Sequence, residues 1–339
     1  MGGKALNKYG VTTVRKNTEE FQRIGKEIQN RVETDLPVST AIVTCYHTKA
    51  DHGDLDLLIK MDEDISIIWN EFIKTRFNPQ AIHNNGGVYS FDYQNFQIDF
   101  IPVKENKWET AKVYYSYDPL GNIMGKTFHK FGLSYGWDGL FYKFRNFNGR
   151  LAQNILLTND AERIYDFGGY DYQRYLQGFE ILEDILKFAI NCKYFDAEIF
   201  QMDNLKSIDK KRNRKRGSYH VFLKYLKDNN INTRYDFHKD KELYLPMIDE
   251  AFPEADLLGQ LYELKMKDTE NKILSQKFNG DIVMTWLPDL QGKQLGHAIT
   301  GFKDSFNNEE EYRIFVLSSS FVTIQEHFMN THNDQFEQE

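Results

Sequence analysis

The chain has 339 residues, 41% hydrophobic and 27% charged, with a formal net charge of −8. That length supports one large elaborated domain or two to three smaller ones and excludes a single short module. The composition excludes a disordered protein and predicts a soluble one without membrane partners, while Cys45 and Cys192, with no CxxC or Cys/His ligand spacing, point to a reducing, cytoplasmic setting rather than a disulfide framework.

The first residues, MGGKALNKYG, contain no apolar run for a signal peptide, and Leu6 stands where a myristoylation signal needs Ser or Thr. Thr18 followed by Glu19 and Glu20 reads as a helix start, and Phe21, Ile24, Ile28 and Val32 recur at helical spacing, predicting a helix over about 18–33. A β-branched stretch, Thr40 to Thr44, a polar loop, Tyr46 to Gly53, and the run Asp54 to Ile59 then predict strand, loop, strand. Ile65, Ile68, Trp69, Phe72, Ile73 and Phe77 outline a second amphipathic helix. Asn84 to Gly87 forms a turn cluster, and Val88–Tyr93 with Phe96–Val103 predicts an antiparallel hairpin that Pro102 ends. From about Tyr170 the periodicity turns helical. Tyr175, Phe179, Leu182, Leu186, Ala189 and Ile190 outline one long helix, and further helices are predicted near 218–228, 241–252, 254–277 and 292–303.

Charge is segregated along the chain. Lys206, Lys210, Lys211, Arg212, Arg214, Lys215 and Arg216 face one acid, Asp209, a local balance of +6 that leaves −14 on the rest. Such a block reads either as a solvated loop or as a grip on a phosphate backbone that does not read bases. From Asp304 to the end there are eight acids and one base, Arg313, which predicts an acidic tail.

In a strand side chains alternate faces, so Asp54 and Asp56 share one edge while Leu55 and Leu57 enter the core. Asp99, between Ile98 and Phe100 on the later β-rich run, can join them. A bare D-x-D pair is commonly no more than surface acidity; here it follows Gly53, lies in the apolar run Leu55 to Ile59 and has a strand-borne partner some forty residues on. Three clustered anions repel unless cations neutralise them, and hard oxygen donors suit Mg²⁺ or Mn²⁺. Two such ions can activate a hydroxyl and stabilise a leaving pyrophosphate.

Gly53-Asp54-Leu55-Asp56-Leu57-Leu58-Ile59 together with Gln97-Ile98-Asp99-Phe100-Ile101-Pro102 resembles the palm of the nucleotidyltransferase superfamily that contains DNA polymerase β, poly(A) polymerases and tRNA CCA-adding enzymes. The resemblance covers roughly residues 17 to 145. It implies an α+β fold, a polymerase β-type palm with a mixed sheet flanked by helices, followed by a mostly helical C-terminal region. It also implies that Asp54, Asp56 and Asp99 are the catalytic carboxylates and ligands of two metal ions, with Asp99 as general base or as the group orienting the hydroxyl. The family's Gly-Gly or Gly-Ser before the D-x-D falls on Val43 and Thr44, a departure at the first position, and makes Thr44, Cys45 and Gly53 nucleotide-site residues. Tyr114 to Asn122 resembles the segment that brings an aromatic pair under the incoming sugar and an Asn near its base, which adds Tyr114, Tyr115, Ser116 and Asn122; by the same token Lys126 could face a primer strand. The tyrosines read equally as half-buried strand residues.

Shorter echoes of CCA-adding enzymes occur at Asn159-Asp160-Ala161-Glu162-Arg163 and at Gly292-Lys293-Gln294-Leu295-Gly296, the second reading equally as a helix start. The resulting expectation is an N-terminal extension (1–16), a palm (17–115), a nucleotide- and primer-contacting subdomain (116–167), a helical nucleic-acid-binding region (168–303) and an acidic tail (304–339). The expected activity is template-independent transfer of nucleotides from a nucleoside triphosphate to an RNA 3′-hydroxyl. In this reading Lys210, Lys211, Arg212, Arg214, Lys215 and Arg216 hold the RNA. A family X-like DNA polymerase and a small-substrate or protein nucleotidyltransferase are the alternatives.

Overall fold

The computed structural model of the chain describes residues 3–62 and 67–336. Its first part supplies β1 (Lys16–Asn17), β2 (Ser39–Ile42), β3 (Asp51–His52), β4 (Asp54–Met61), β5 (Ile82–Asn85), β6 (Val88–Tyr93) and β7 (Phe96–Lys104). β1 and β3 form a two-stranded antiparallel ribbon, and the others form a mixed sheet in the order β2-β4-β7-β6-β5. β4 and β7 pair in parallel and every other pairing in that sheet is antiparallel. The chain is thus α+β, a mixed sheet flanked by helices with a helical C-terminal region, as its periodicities and the resemblance imply.

Period-two alternation decides what each face of this sheet buries. Leu55, Leu57 and Ile59 on β4 and Ile98 and Phe100 on β7 point to one side, where α1 (Thr18–Asp35) lays down Phe21, Ile24, Ile28 and Val32 and α2 (Trp69–Phe77) lays down Trp69, Ile73 and Phe77. Each of these side chains, withdrawn from water, contributes about 1.5–3 kcal/mol relative to an exposed one. α1 starts where its sequence predicts because the Asn17 side chain accepts the Glu20 N–H at 2.8 Å, with Glu19 and Glu20 at the positive end of the helix. The other face of the sheet carries Leu58, Ile101 and Val103 against Ala111 of α3 (Trp108–Tyr115).

Local differences from the sequence reading have physical reasons. The second helix begins at Trp69, and Ile65, expected to mark it, lies outside the described residues. Asn84 and Asn85 belong to β5, which leaves Gly86 and Gly87 as the turn. Pro102 does not end β7: pairing with β6 stops at Phe100, so a residue without an N–H beyond that point removes no ladder bond on that side. Tyr114 and Tyr115 end a helix instead of lying on a strand.

After α4 (Leu120–Lys130) come β8 (Leu133–Gly136), β9 (Gly139–Arg145) and β10 (Leu151–Thr158), a separate sheet in the order β10-β9-β8. Helices follow: α5 (Ala161–Gly168), α6 (Tyr172–Leu176), α7 (Leu182–Ile190), α8 (Ser207–Asn213), α9 (Gly217–Asp228) and α10 (Leu245–Ala251). The single long helix expected around Tyr175 to Ile190 is α6 and α7, broken at Gly178, whose φ of 75° leaves the helical region. The apolar spacing is right, but the backbone is committed elsewhere, since the Phe179 and Glu180 carbonyls accept the His47 and Thr48 N–H groups at 3.0 Å each. Asp160 caps α5 by accepting the Arg163 N–H, and Arg163 pairs with Glu254, so Asn159 to Arg163 is engaged in helix capping and an interhelical ion pair.

The chain divides into two compact units, residues 1–143 with 154–257, and residues 144–153 with 258–339. Beyond residue 257 the second contains α11 (Leu257–Lys277), α12 (Gly280–Trp286), α13 (Gly292–Asp304), α14 (Glu309–Ser318) and α15 (Phe321–Phe336), closed around Phe278, Val283, Phe302, Val316, Ile324 and Phe328. The stretch from Asp304, expected as an acidic tail, therefore holds two helices. Asn308 caps α14, and Glu309, Glu310 and Glu311 fill its first turn, where negative charge favours a helix. No helix among the described residues is long and apolar enough to cross a membrane.

Phe100 is fully buried and its ring meets Trp69, Phe77 and Phe91. Phe100→Ala is expected to lower unfolding free energy by about 3–5 kcal/mol, the range for deleting a core aromatic. Urea unfolding with an unchanged m-value would register it as a shift of midpoint.

Candidate active site

The parallel register sets Asp56 beside Asp99, and Asp54 lies two residues before Asp56 on the same face of β4. One carboxylate oxygen from each of the three lies within 4.8 Å of the others. Burial pushes the Asp54 carboxyl up, opposed by the Gly3 amide, Lys49 and Arg15. Burial and then the charges of Asp54 and Asp99 push Asp56 well up. Burial and then Asp54 raise Asp99 to about 6 against hydrogen bonds from Ser90 and Gln97. All three shifts report one condition: a negative cluster in a poorly solvated place without enough positive charge. Oxygen-only donors from three convergent carboxylates fit a hard divalent cation, which would supply the missing charge.

A cavity of about 620 Å³ opens over Asp54 and Asp56. Its walls come from distant parts of the first unit: Thr44 and Cys45 after β2, Lys49 and Gly53 around β3, Tyr115 at the end of α3, and Lys215 to Ser218 at the start of α9. Arg15 also lines it and grips Asp51 through two nitrogens, at 2.8 and 2.7 Å. Four cations, Arg15, Lys49, Lys215 and Arg216, are thus set around the same space as the aspartates. The first turn of α9 adds backbone N–H groups that have no acceptor within their own helix, at its positive end. Arg216 is half-buried, and desolvation with neighbouring Arg212 lowers its pKa while Asp118 and Tyr114 oppose that shift. His52 lines the cavity too, buried and stacked on Phe21 at 3.8 Å between ring centroids. Burial, then Lys49, lowers its pKa to about 4, which keeps the ring neutral at physiological pH.

Of the residues singled out in the sequence, Thr44, Cys45, Gly53, Asp54, Asp56, Tyr115, Lys215 and Arg216 meet around this cavity, with Asp99 in the carboxylate cluster behind it. Others are engaged elsewhere. The Ser116 hydroxyl donates to the Lys112 carbonyl at 2.6 Å and closes α3. Lys126 pairs with Asp209 at 2.6 Å. Asn122 approaches Asn213 at 3.5 Å, and Tyr114 packs edge-on against Tyr115 and Tyr135. The basic run is mostly helical rather than a loop, with Lys210, Lys211 and Arg212 on α8 and Arg214 just after it. Lys211, Arg212, Arg214 and Lys215 are exposed. Arg15, Lys49, Gly217, Ser218 and Gln97 were not singled out. Gln97 carried a readable signal, since it lies two residues before Asp99 and therefore on the same strand face; the cations carried none that marks them as neighbours.

No protein-family model matches the chain, and no curated protein matches it. Among solved structures, Leishmania infantum polymerase beta in a ternary P/T complex is similar with 12% identity and a TM-score of 0.36, over 48% of this chain and 75% of that one. The same polymerase in a ternary gap complex is similar with 14% identity and a TM-score of 0.33, over 41% and 55% respectively.

The sign of the pH effect follows from Asp99. Its folded-state value, about 6, exceeds the 3.8 of a free carboxyl, so the folded chain holds this proton more tightly than the unfolded one. That contribution to stability is complete below the unfolded value and is lost as pH rises through the folded one. In chelator, the melting temperature is expected to fall between about pH 4 and pH 6 through this contribution. Mg²⁺ should restore it, and Asp99→Asn should flatten the slope and reduce the gain from Mg²⁺; scanning calorimetry across pH checks all three.

Proposed function

We propose that the chain is a metal-dependent nucleotidyltransferase that moves a nucleotide from a nucleoside triphosphate to a polynucleotide 3′-hydroxyl, with RNA as the preferred acceptor. The observation that carries this reading is the joining of two opposite sets in one cavity, carboxylates from β4 beside Asp99 and cations from separate segments. Asp54, Asp56 and Asp99 would hold two Mg²⁺ or Mn²⁺ ions, which supply charge neutralisation for the attacking hydroxyl and for the pyrophosphate that leaves.

The chain's own residues do the rest. Arg15, Lys49, Lys215 and Arg216, with the Gly217 and Ser218 backbone at the start of α9, receive the triphosphate and hold its α-phosphorus over Asp54 and Asp56. Tyr115 offers a flat apolar edge to the sugar. Asp99 takes up the proton of the 3′-hydroxyl as its oxygen bonds to the α-phosphorus and the bond to the β-phosphate oxygen breaks. The exposed Lys211, Arg212 and Arg214, with Lys210, meet the acceptor backbone just outside. The basic run is thereby divided between two ligands, its end serving the triphosphate and its start the acceptor.

Removing a metal-holding carboxylate forfeits several kcal/mol of transition-state charge stabilisation, so Asp56→Ala is expected to lower kcat about a thousand-fold with the fold intact. Near-normal turnover at saturating Mg²⁺ would sink the assignment. Arg216→Ser should raise the KM for the nucleotide. Replacing Lys211, Arg212 and Arg214 with Ser should instead weaken acceptor binding and flatten the slope of log affinity against log salt by about 0.7 per lost single-strand contact. The acceptor itself is decided by incubating each labelled NTP and dNTP with RNA and with primed DNA. Extension of primed DNA alone would replace RNA by DNA in this reading, and labelling of neither would remove the polynucleotide acceptor.

A further inference from the structure

The segment ahead of α1 lies against the carboxylate cluster. The Gly3 N–H donates to Asp54 Oδ2 at 3.2 Å, and the Ala5 N–H donates to Gln97 Oε1 at 2.9 Å. Gln97 is buried, 2% exposed, and its Nε2 donates to both oxygens of Asp99 at 3.0 Å each. The orientation of this amide follows from its partners: a backbone N–H can only donate and a carboxylate only accepts, so Oε1 must face Ala5 and Nε2 must face Asp99. Neither an ionised Glu nor an apolar residue could satisfy both neighbours at once.

The segment is held in place independently of these bonds. Leu6 and Val11 are buried, Thr13 Oγ1 donates to the Gly3 carbonyl at 2.7 Å, and the Val14 N–H donates to the Asn95 carbonyl at 2.8 Å. Gly3 has φ of +82°, and a Cβ there would stand 2.2 Å from the Gly53 carbonyl oxygen. Only glycine brings this backbone close enough for its N–H to reach Asp54.

We infer that residues 3–5 and Gln97 form a positioning relay, in which the segment's amides hold Asp54 directly and Asp99 through Gln97, and so set the metal affinity of the carboxylate cluster. The inference rests on the metal-holding role proposed above for the three aspartates. Gln97 and Gly3 touch no reactant in this scheme; they fix the directions in which two carboxylates present their free lone pairs. Groups that orient metal-holding residues in this way typically account for about ten- to a hundred-fold in metal affinity or activity.

Gln97→Met removes the amide at nearly constant volume, Gly3→Ala moves the segment away from Gly53, and Tyr9→Ala changes an exposed side chain of the same segment, 50% accessible, as a control. Free Mn²⁺ is followed by electron paramagnetic resonance during titration of each purified protein, and kcat and the nucleotide KM are measured in parallel. Gln97→Met and Gly3→Ala are expected to bind Mn²⁺ about ten- to a hundred-fold more weakly, with kcat falling and the nucleotide KM staying at the wild-type value. Tyr9→Ala is expected to match wild type. Folded Gln97→Met or Gly3→Ala protein with wild-type Mn²⁺ affinity overturns the relay and leaves the metal site standing. A wild type that binds no Mn²⁺ overturns the metal-holding role and the relay with it. Should Gln97→Met not fold, Gly3→Ala decides alone.

Discussion

Three carboxylates whose oxygens converge within 4.8 Å cannot all stay ionised at the edge of an apolar sheet without opposing charge. The rest of the first unit can be understood as what makes that arrangement possible. Leu55 and Leu57, alternating with the aspartates, fasten β4 to the core formed with α1 and α2, and the parallel pairing with β7 fixes Asp56 beside Asp99. The packing of apolar neighbours on one face offsets the repulsion on the other. Cations then gather from segments far apart in the chain, so that positive charge faces the carboxylates around one cavity.

The parts of this architecture governed by short-range rules were legible in the sequence. Alternation placed Asp54 and Asp56 on one face and Leu55 and Leu57 on the other, helical spacing found α1 within two residues of its observed end, and the hairpin of β6 and β7 followed from its β-rich runs. The parts governed by long-range contacts were not. Nothing local joins Arg15 and Lys49 to Lys215 and Arg216, because their proximity is created by the tertiary fold. The break between α6 and α7 was equally hidden: the apolar spacing continues through it, and what stops the helix is a pair of carbonyls accepting from His47 and Thr48. Composition misled at the other end, where Glu309 to Glu311 were counted as tail acidity although their position after Asn308 makes them favourable first-turn residues of α14.

Average charge is a poor guide to what such a protein can hold. The chain carries −8 in all, yet the first unit gathers four cations, Arg15, Lys49, Lys215 and Arg216, around one cavity. The basic run is not one uniform surface either: Lys215 and Arg216, just ahead of α9, line the cavity, while the exposed Lys211, Arg212 and Arg214 do not.

The division of the chain carries a consequence for anyone who would take it apart. Residues 144–153 group with 258–339, although the stretches before and after them belong to the other unit. β9 and β10 each straddle that boundary. The second unit is therefore discontinuous in sequence: a fragment starting at residue 258 leaves behind a loop that belongs with it, and a fragment stopping at 143 severs a strand midway. Limited proteolysis or truncation at such points divides the polypeptide without dividing the structure along its own seams, and an intact second unit requires the excursion between β9 and β10 to travel with it.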